Sequence, residues 1–127
     1  MAKSTKKLDD TDFEIQFYEG VLDKAPDFFE ALSALGDLYT KKGRYKEGLK
    51  VDLRLIVFKP DDPIVLYNLA CSYSLLEDID KALVMFKKAI KFGYSDFAHL
   101  QTDSDLENLK KDARFKRYML RIKKKEL

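Results

Sequence analysis

The feature that most constrains this sequence is an internal match at a spacing of 34 residues. The match pairs residues of similar size and polarity: Leu32 with Leu66, Leu35 with Leu69, Gly36 with Ala70, Tyr39 with Tyr73, Gly48 with Ala82 and Leu49 with Leu83. A fixed period of this length indicates one supersecondary unit used repeatedly, each copy burying its apolar side against the next.

Each unit is predicted to be a pair of α-helices, because its apolar residues recur at helical spacing. These residues are Phe28, Phe29, Leu32, Leu35, Leu38 and Tyr39 in the first unit and Ile64, Leu66, Leu69, Ala70, Tyr73 and Leu76 in the second. Gly43 suits a helix exit, since glycine tolerates the left-handed conformation. Asp62 and Pro63 suit the cap and first position of the following helix. Residues 78–80 are predicted to make the corresponding turn in the second unit.

Small residues recur where the two helices of each unit are expected to cross. Gly36 and Gly48 occupy these positions in the first unit, and Ala70 and Ala82 occupy them in the second. A glycine inside a helix costs about 1 kcal/mol relative to alanine. Its presence at matched positions therefore indicates that the two backbones approach closely there. The sequence predicts an all-α fold of antiparallel helix pairs.

These motifs resemble the tetratricopeptide-repeat (TPR) signature. The first copy comprises Leu32, Leu35, Gly36, Tyr39, Gly48 and Pro60, and the second Leu66, Leu69, Ala70, Tyr73, Ala82, Phe86 and Ala89. Asp52 stands where the first copy usually carries an aromatic residue, and Tyr94 replaces the closing proline of the second. The resemblance implies a right-handed α-solenoid with repeats over residues 29–62 and 63–96.

The chain is predicted to form a single TPR domain over residues 9–127, after a disordered tail at residues 1–8. An apolar stripe indicates an N-terminal capping helix over residues 9–26, which covers the exposed face of the first repeat. The stripe consists of Phe13, Phe17, Tyr18, Val21 and Leu22.

Residues 97–127 are predicted to form a C-terminal capping segment and a basic helix. The segment resembles the terminating segment of a group of bacterial TPR proteins. Ser104 and Glu107 have the spacing of a capping box, and Leu106 and Leu109 are expected to turn inward. The final helix is predicted from about Ala113 to Lys125. Its buried residues are expected to be Phe115, Tyr118, Met119 and Ile122.

Residues able to carry catalytic or metal chemistry are sparse. His99 and Cys71 are the single histidine and cysteine, and no zinc, EF-hand or phosphate-loop motif is present. No metal site, cofactor or enzymatic activity is therefore predicted. No apolar run reaches the length of a membrane span, and no signal peptide or disulfide pair is recognisable. These features predict a cytoplasmic protein without a membrane partner.

The TPR resemblance implies a concave groove lined by the first helix of each repeat, where a peptide or helix of a protein partner binds. The predicted groove residues are Glu30, Ser33, Asp37, Thr40 and Lys41 from the first repeat and Ile64, Tyr67, Asn68, Cys71, Ser74 and Leu75 from the second. A partner would present a basic or amide side to Asp37 and an apolar side to Tyr67. The alternative is a solvated face, or a groove covered by the C-terminal helix.

Two further surfaces carry alternative predictions. The basic helix could bind the phosphates of a nucleic acid through Arg114, Arg117, Arg121 and Lys124, with Tyr118 available for stacking. The simpler explanation is that lysines near the end of a helix interact favourably with the helix dipole and increase solubility. The helix that precedes Pro60 is more apolar than one stripe requires. A self-association patch of Val51, Leu53 and Val57 is therefore predicted on the convex side.

Overall fold

The protein is described by a computed structural model that covers residues 9–126. The helices are α1 (Asp10–Lys24), α2 (Phe29–Lys41), α3 (Tyr45–Phe58), α4 (Pro63–Leu75), α5 (Ile79–Lys91), α6 (Phe97–Thr102), α7 (Glu107–Lys110) and α8 (Ala113–Glu126), with a 3₁₀ turn at Ser104–Leu106. Within the described range no strand occurs, and the all-α prediction is confirmed. The tail predicted at residues 1–8 lies outside the described residues.

Each of the first four helices packs against the next one in the chain. The 3₁₀ turn and α7 then return to pack on α4, and α7 also contacts α5. Helix pairs α2–α3 and α4–α5 are therefore stacked between α1 on one side and the C-terminal segment on the other. This arrangement is the α-solenoid that the sequence predicts.

Two apolar clusters form the core. The first joins α1, α2, α3 and the start of α4 through Ile15, Leu22, Ala31, Leu32, Leu35, Leu38, Tyr39, Val51, Leu55 and Val65. The second joins α4, α5 and the C-terminal segment, with Leu66, Phe86, Leu106 and Leu109 almost fully buried. Ile56 packs against both clusters and connects them. Since both ends of the stack contribute buried side chains, neither helix pair has a bare apolar face at the core.

The glycines at the first helix crossing are required by the space available. A Cβ atom on Gly36 would lie 3.2 Å from Cγ1 of Val51, and one on Gly48 would lie 3.1 Å from Oγ1 of Thr40. Both distances are tighter than ordinary van der Waals contact, so the backbones of α2 and α3 are as close as the sequence predicts. At the second crossing Ala70 and Ala82 are completely buried.

The helix ends follow the expected capping chemistry. The carboxylate of Asp62 accepts hydrogen bonds from the backbone N–H groups of Ile64 (2.9 Å) and Val65 (3.2 Å). Gly43 ends α2 in the left-handed region with φ of 78°. The equivalent position after α4 holds Glu77, whose φ of 62° places a residue with a Cβ atom in the same region. Left-handed backbone costs a non-glycine residue about 1–2 kcal/mol.

We expect Glu77→Gly to raise the free energy of unfolding by about 1 kcal/mol, because glycine removes the left-handed strain while losing some backbone entropy. Urea unfolding monitored by circular dichroism measures the change. The reciprocal variant Gly43→Ala is the control, and it should lower the free energy of unfolding by a similar amount. A neutral or destabilising Glu77→Gly would contradict the prediction.

The C-terminal segment closes the stack in a different way from the predicted capping box. Ser104 lies inside the 3₁₀ turn, and the carboxylate of Asp103 caps that turn by accepting a hydrogen bond from the N–H of Asp105 at 3.0 Å. The prediction of a Ser104–Glu107 box is therefore wrong, since α7 begins only after this turn. Leu106 and Leu109 are completely buried as expected.

Helix α8 spans almost the predicted range and packs through one side. Phe115 is buried against Phe86, with ring centroids 4.9 Å apart. Tyr118, Met119 and Ile122 are only partly buried. The predicted apolar side of α8 thus faces the stack, although its C-terminal half is less covered than expected.

Candidate functional site

A cavity of about 540 Å³ opens on the concave side, between α2, α4 and the segment that follows α6. It is lined by Gly36, Asp37, Thr40, Lys41, Tyr45, Asp52, Asn68, Cys71, Ser72, His99, Asp103 and Asp105. Four of these residues are aspartates. Helices α2 and α3 supply Asp37 and Asp52, and the C-terminal segment supplies Asp103 and Asp105. The concave surface therefore has a defined recess of strongly acidic composition.

Asp103 forms one wall of the cavity and attaches the C-terminal segment to α4. Its Oδ2 atom accepts a hydrogen bond of 2.6 Å from the hydroxyl of Tyr67. The same atom lies 3.2 Å from Nε2 of His99 and 3.7 Å from Sγ of Cys71. The carboxylate thus joins α4, α6 and the 3₁₀ turn at one point.

A second set of hydrogen bonds covers the C-terminal half of α4. The Oγ atom of Ser74 accepts from the N–H of Leu109 at 3.0 Å, and its carbonyl accepts from Nδ2 of Asn108 at 2.9 Å. Ser74 is completely buried, and Tyr67 is only 3% exposed. The prediction that Tyr67 and Ser74 present an open wall is wrong, because the C-terminal segment occupies that part of the groove.

Asp52 is the most unusual acid in the cavity. It lies on α3, is buried, and accepts a hydrogen bond from the hydroxyl of Ser72. Burial raises the pKa of its carboxyl to about 6, and the negative charge of Asp37 contributes to the increase. Where a TPR usually packs an aromatic ring, this chain has a carboxyl group that changes its charge near neutral pH.

The pKa values of two neighbouring acids are also raised. Loss of surrounding water raises the pKa of Asp37. Burial raises the pKa of Asp105, and the nearby charges of Asp103 and Asp37 raise it further. Like charges so close together disfavour one another's ionised forms. The cavity therefore favours the entry of positive charge.

The structure places the predicted groove residues in three groups. Asp37, Thr40, Lys41, Asn68 and Cys71 line the cavity, although Cys71 is only 7% exposed. Glu30 and Ser33 lie on α2, and Ile64 and Leu75 at the two ends of α4, outside the cavity lining. Tyr67 and Ser74 are covered as described above.

Sequence reasoning missed several residues that line the cavity, notably Asp52, Ser72, Asp103 and Asp105. The sequence does distinguish Asp52, because this residue stands at a repeat position where an aromatic residue is usual. Asp103 and Asp105 carry no such signal, since their position depends on how the C-terminal segment folds back.

The basic residues predicted to bind phosphate are not equivalent. Arg114 is already paired, with Nη1 2.9 Å from Oδ1 of Asp80 and Nε 3.0 Å from Oδ1 of Asp112. Arg117 and Arg121 instead line a separate cavity between α5 and α8. Lys124 is exposed and lies outside that lining. Phosphate binding by these residues stays a prediction.

The predicted convex patch is smaller than expected. Val51 is only 5% exposed because it packs against Gly36 at the α2–α3 crossing, so its place in the patch is wrong. Leu53 and Val57 are 41% and 77% exposed. Self-association through these two residues stays a prediction.

Two general features of the described residues bear on function. Among residues 9–126, no three side chains of histidine, cysteine, aspartate or glutamate are arranged to hold a metal ion. No helix in this range has the length and apolar character needed to cross a bilayer.

Stacked antiparallel helix pairs with small residues at their crossings and a recessed concave surface define a TPR-type α-solenoid, a class that uses such surfaces for binding. The family model described as tetratricopeptide repeat matches residues 64–92. The match lies within the second predicted repeat and, together with the fold, supports the TPR resemblance of the sequence motifs.

The chain is similar to a protein of Arabidopsis thaliana whose name describes it as chloroplastic, with 35% identity over 80 residues. This match covers 61% of the chain and 24% of the plant protein, so the chain corresponds to about a quarter of that relative. Among solved structures, "MamA 41-end from Desulfovibrio magneticus RS-1" has a TM-score of 0.65 at 22% identity, over 86% of this chain and 68% of that one. "Crystal structure of MamA" has a TM-score of 0.60 at 20% identity, over 69% of this chain and 57% of that one. At these identities the structural likeness shows the fold alone.

Proposed function

We propose that this chain is a non-enzymatic protein-interaction module, with a scaffold or adaptor role, that binds a peptide or helix of its partner on the concave side. A basic side chain of the partner enters the cavity among Asp37, Asp52 and Asp105. The observation that carries the proposal is the cavity of about 540 Å³ in which four aspartates converge from three parts of the fold.

Electrostatics favour an arginine or lysine side chain as the group that enters. Asp37, Asp52 and Asp105 all have raised pKa values. A cation placed between them offsets their mutual repulsion and stabilises their ionised forms. A guanidinium can also donate paired hydrogen bonds to carboxylates, which adds directional specificity. An acidic peptide is disfavoured at this surface, because it would add to the negative charge.

The proposal is tested with a fluorescein-labelled helical peptide that carries one central arginine, compared with the same peptide carrying neutral citrulline. Fluorescence anisotropy should show about tenfold tighter binding of the arginine peptide, in the range expected for charge-assisted hydrogen bonds. Its affinity should also rise as the pH is raised through about 6, because Asp52 then becomes ionised. The citrulline peptide should show a much smaller pH dependence.

Matched protein variants locate the binding site. Asp37→Asn and Asp105→Asn remove cavity charge and should each weaken binding of the arginine peptide several-fold. Asp61→Asn removes the same charge from an exposed position outside the cavity lining and should have little effect. Equal affinity for the arginine and citrulline peptides, or equal effects of the three variants, would contradict the proposal.

The location of the protein is a separate question. A cytoplasmic location stays a prediction from the sequence, whereas the similar plant protein is named as chloroplastic. Binding through the concave cavity depends on the acidic residues described above and applies in either compartment.

A further inference from the structure

A second recess, of about 490 Å³, lies between α5 and α8 and shares no lining residue with the acidic cavity. It is lined by Lys87 of α5 and by Arg114, Arg117, Leu120 and Arg121 of α8. Asp80 and Asp112 hold Arg114 at its edge. Within residues 9–125, no acidic side chain pairs with Lys87, Arg117 or Arg121. The recess therefore presents unneutralised positive charge.

An exposed apolar residue lies in the middle of this charge. Leu120 is 62% exposed although it lies in the recess between Arg117 and Arg121. The other large apolar residues of α8 point towards the stack, and Phe115 is 5% exposed. A partner that contacted only the cations would leave Leu120 without apolar contact. The recess therefore suits a partner that carries both acidic and apolar side chains.

We propose that the α5–α8 recess binds an acidic amphipathic helix of a protein partner. Arg117, Leu120, Arg121 and Lys124 follow one another at i, i+3, i+4 and i+7, which places them along one face of α8. A partner helix with glutamates at the same spacing would place carboxylates against Arg117 and Arg121. An apolar side chain between those glutamates would cover Leu120.

A nucleic acid fits this recess less well. Phosphates could pair with the cations, but single-stranded nucleic acids also depend on aromatic rings on which bases stack. The nearby ring of Tyr118 is partly buried, lies edge-on to Phe86 with centroids 6.1 Å apart, and has Nζ of Lys87 5.2 Å from its centroid. Phe86, Lys87 and the guanidinium of Arg121, 6.0 Å from the centroid, therefore compete with a base for access to this ring. A phosphate backbone also provides no apolar contact for Leu120.

The test uses two labelled probes: a helical peptide of about 18 residues with glutamates on one face and leucines between them, and a single-stranded DNA of similar charge. Their affinities for the full chain are measured by fluorescence anisotropy. The peptide should bind more tightly than the DNA. Arg117→Glu combined with Arg121→Glu should weaken peptide binding at least tenfold, and Leu120→Ala should weaken it several-fold.

The control is Lys46→Glu combined with Lys50→Glu, the same change of charge at the same spacing on exposed positions of α3. This variant should bind the peptide within about twofold of the unmodified chain, since general charge effects at a surface are small and screened. Circular dichroism establishes that every variant is folded. Tighter binding of the DNA, an unchanged peptide affinity in the α8 double variant, or the absence of saturable peptide binding would overturn the proposal. An unchanged affinity in Leu120→Ala would also overturn it. None of these results bears on the acidic cavity, which has its own probe.

Discussion

Replacing Asp103 by alanine is expected to lower the free energy of unfolding by about 3 kcal/mol, because one carboxylate supports three parts of the fold. Its Oδ2 atom accepts the hydrogen bond from the hydroxyl of Tyr67, and its Oδ1 atom caps the 3₁₀ turn at the N–H of Asp105. A buried hydroxyl left unpaired costs about 1–3 kcal/mol, and loss of a cap costs about 1 kcal/mol.

The loss should be concentrated in the C-terminal segment. Urea unfolding measures the overall change, and native-state hydrogen exchange should show faster exchange in residues 104–110, including the N–H of Leu109 that is bonded to Ser74. Asp96→Ala is the matched control, because Asp96 is an exposed cap that accepts one hydrogen bond from the N–H of His99. That variant should lose only about 1 kcal/mol. Equal losses in the two variants would show that Asp103 acts as a cap alone.

The fold could be predicted from the sequence because its determinants are periodic. The 34-residue match places small residues at both helix crossings, and the structure leaves too little room for ordinary side chains at Gly36 and Gly48. Helix limits at Asp62 and Gly43 follow from local backbone chemistry and could be located for that reason. Helix caps and small crossing residues act within one repeat. Each therefore lies close in sequence to the helices whose ends or packing it determines.

The candidate site could be predicted only in part, because it depends on contacts between distant segments. Repeat geometry located Asp37 and Asn68 on the concave side. The same geometry predicts an open wall at Tyr67, but Asp103, 36 residues further along the chain, covers it. The path of the C-terminal segment is set by the burial of Leu106 and Leu109 in the core between α4 and α5. Periodicity within the repeats does not predict that the C-terminal segment folds back onto α4.

The two charged recesses separate acidic from basic residues, which the composition alone does not show. A net charge of +2 results from 24 basic and 22 acidic residues. In the fold, aspartates converge on the concave cavity, whereas Lys87, Arg117 and Arg121 converge on the α5–α8 recess. A chain that engages a basic segment on one side and an acidic helix on the other could hold two proteins together. The two proposals fit the scaffold role jointly, although each is tested independently.

Replacing Asp52 by asparagine is expected to stabilise the protein by about 2 kcal/mol at neutral pH. Burial raises the pKa of Asp52 in the folded chain to about 6, from an ordinary value of 3.8. The native state therefore binds more protons than the unfolded state between these values. Stability from this group is fully present below the ordinary pKa and is lost as the pH rises through about 6. Asparagine is neutral throughout and can still accept the hydrogen bond from Ser72.

The pH dependence separates this cause from a general improvement in packing. Urea unfolding of both proteins should give nearly equal free energies at about pH 4 and a difference of about 2 kcal/mol at pH 7. Asp37→Asn, at a cavity aspartate that is more exposed than Asp52, should show a smaller difference. A difference that did not grow with pH would contradict the assignment to Asp52. If the cavity binds a cation, Asp52→Asn should also weaken binding of the arginine peptide. The substitution then gains stability by removing a charge that binding requires.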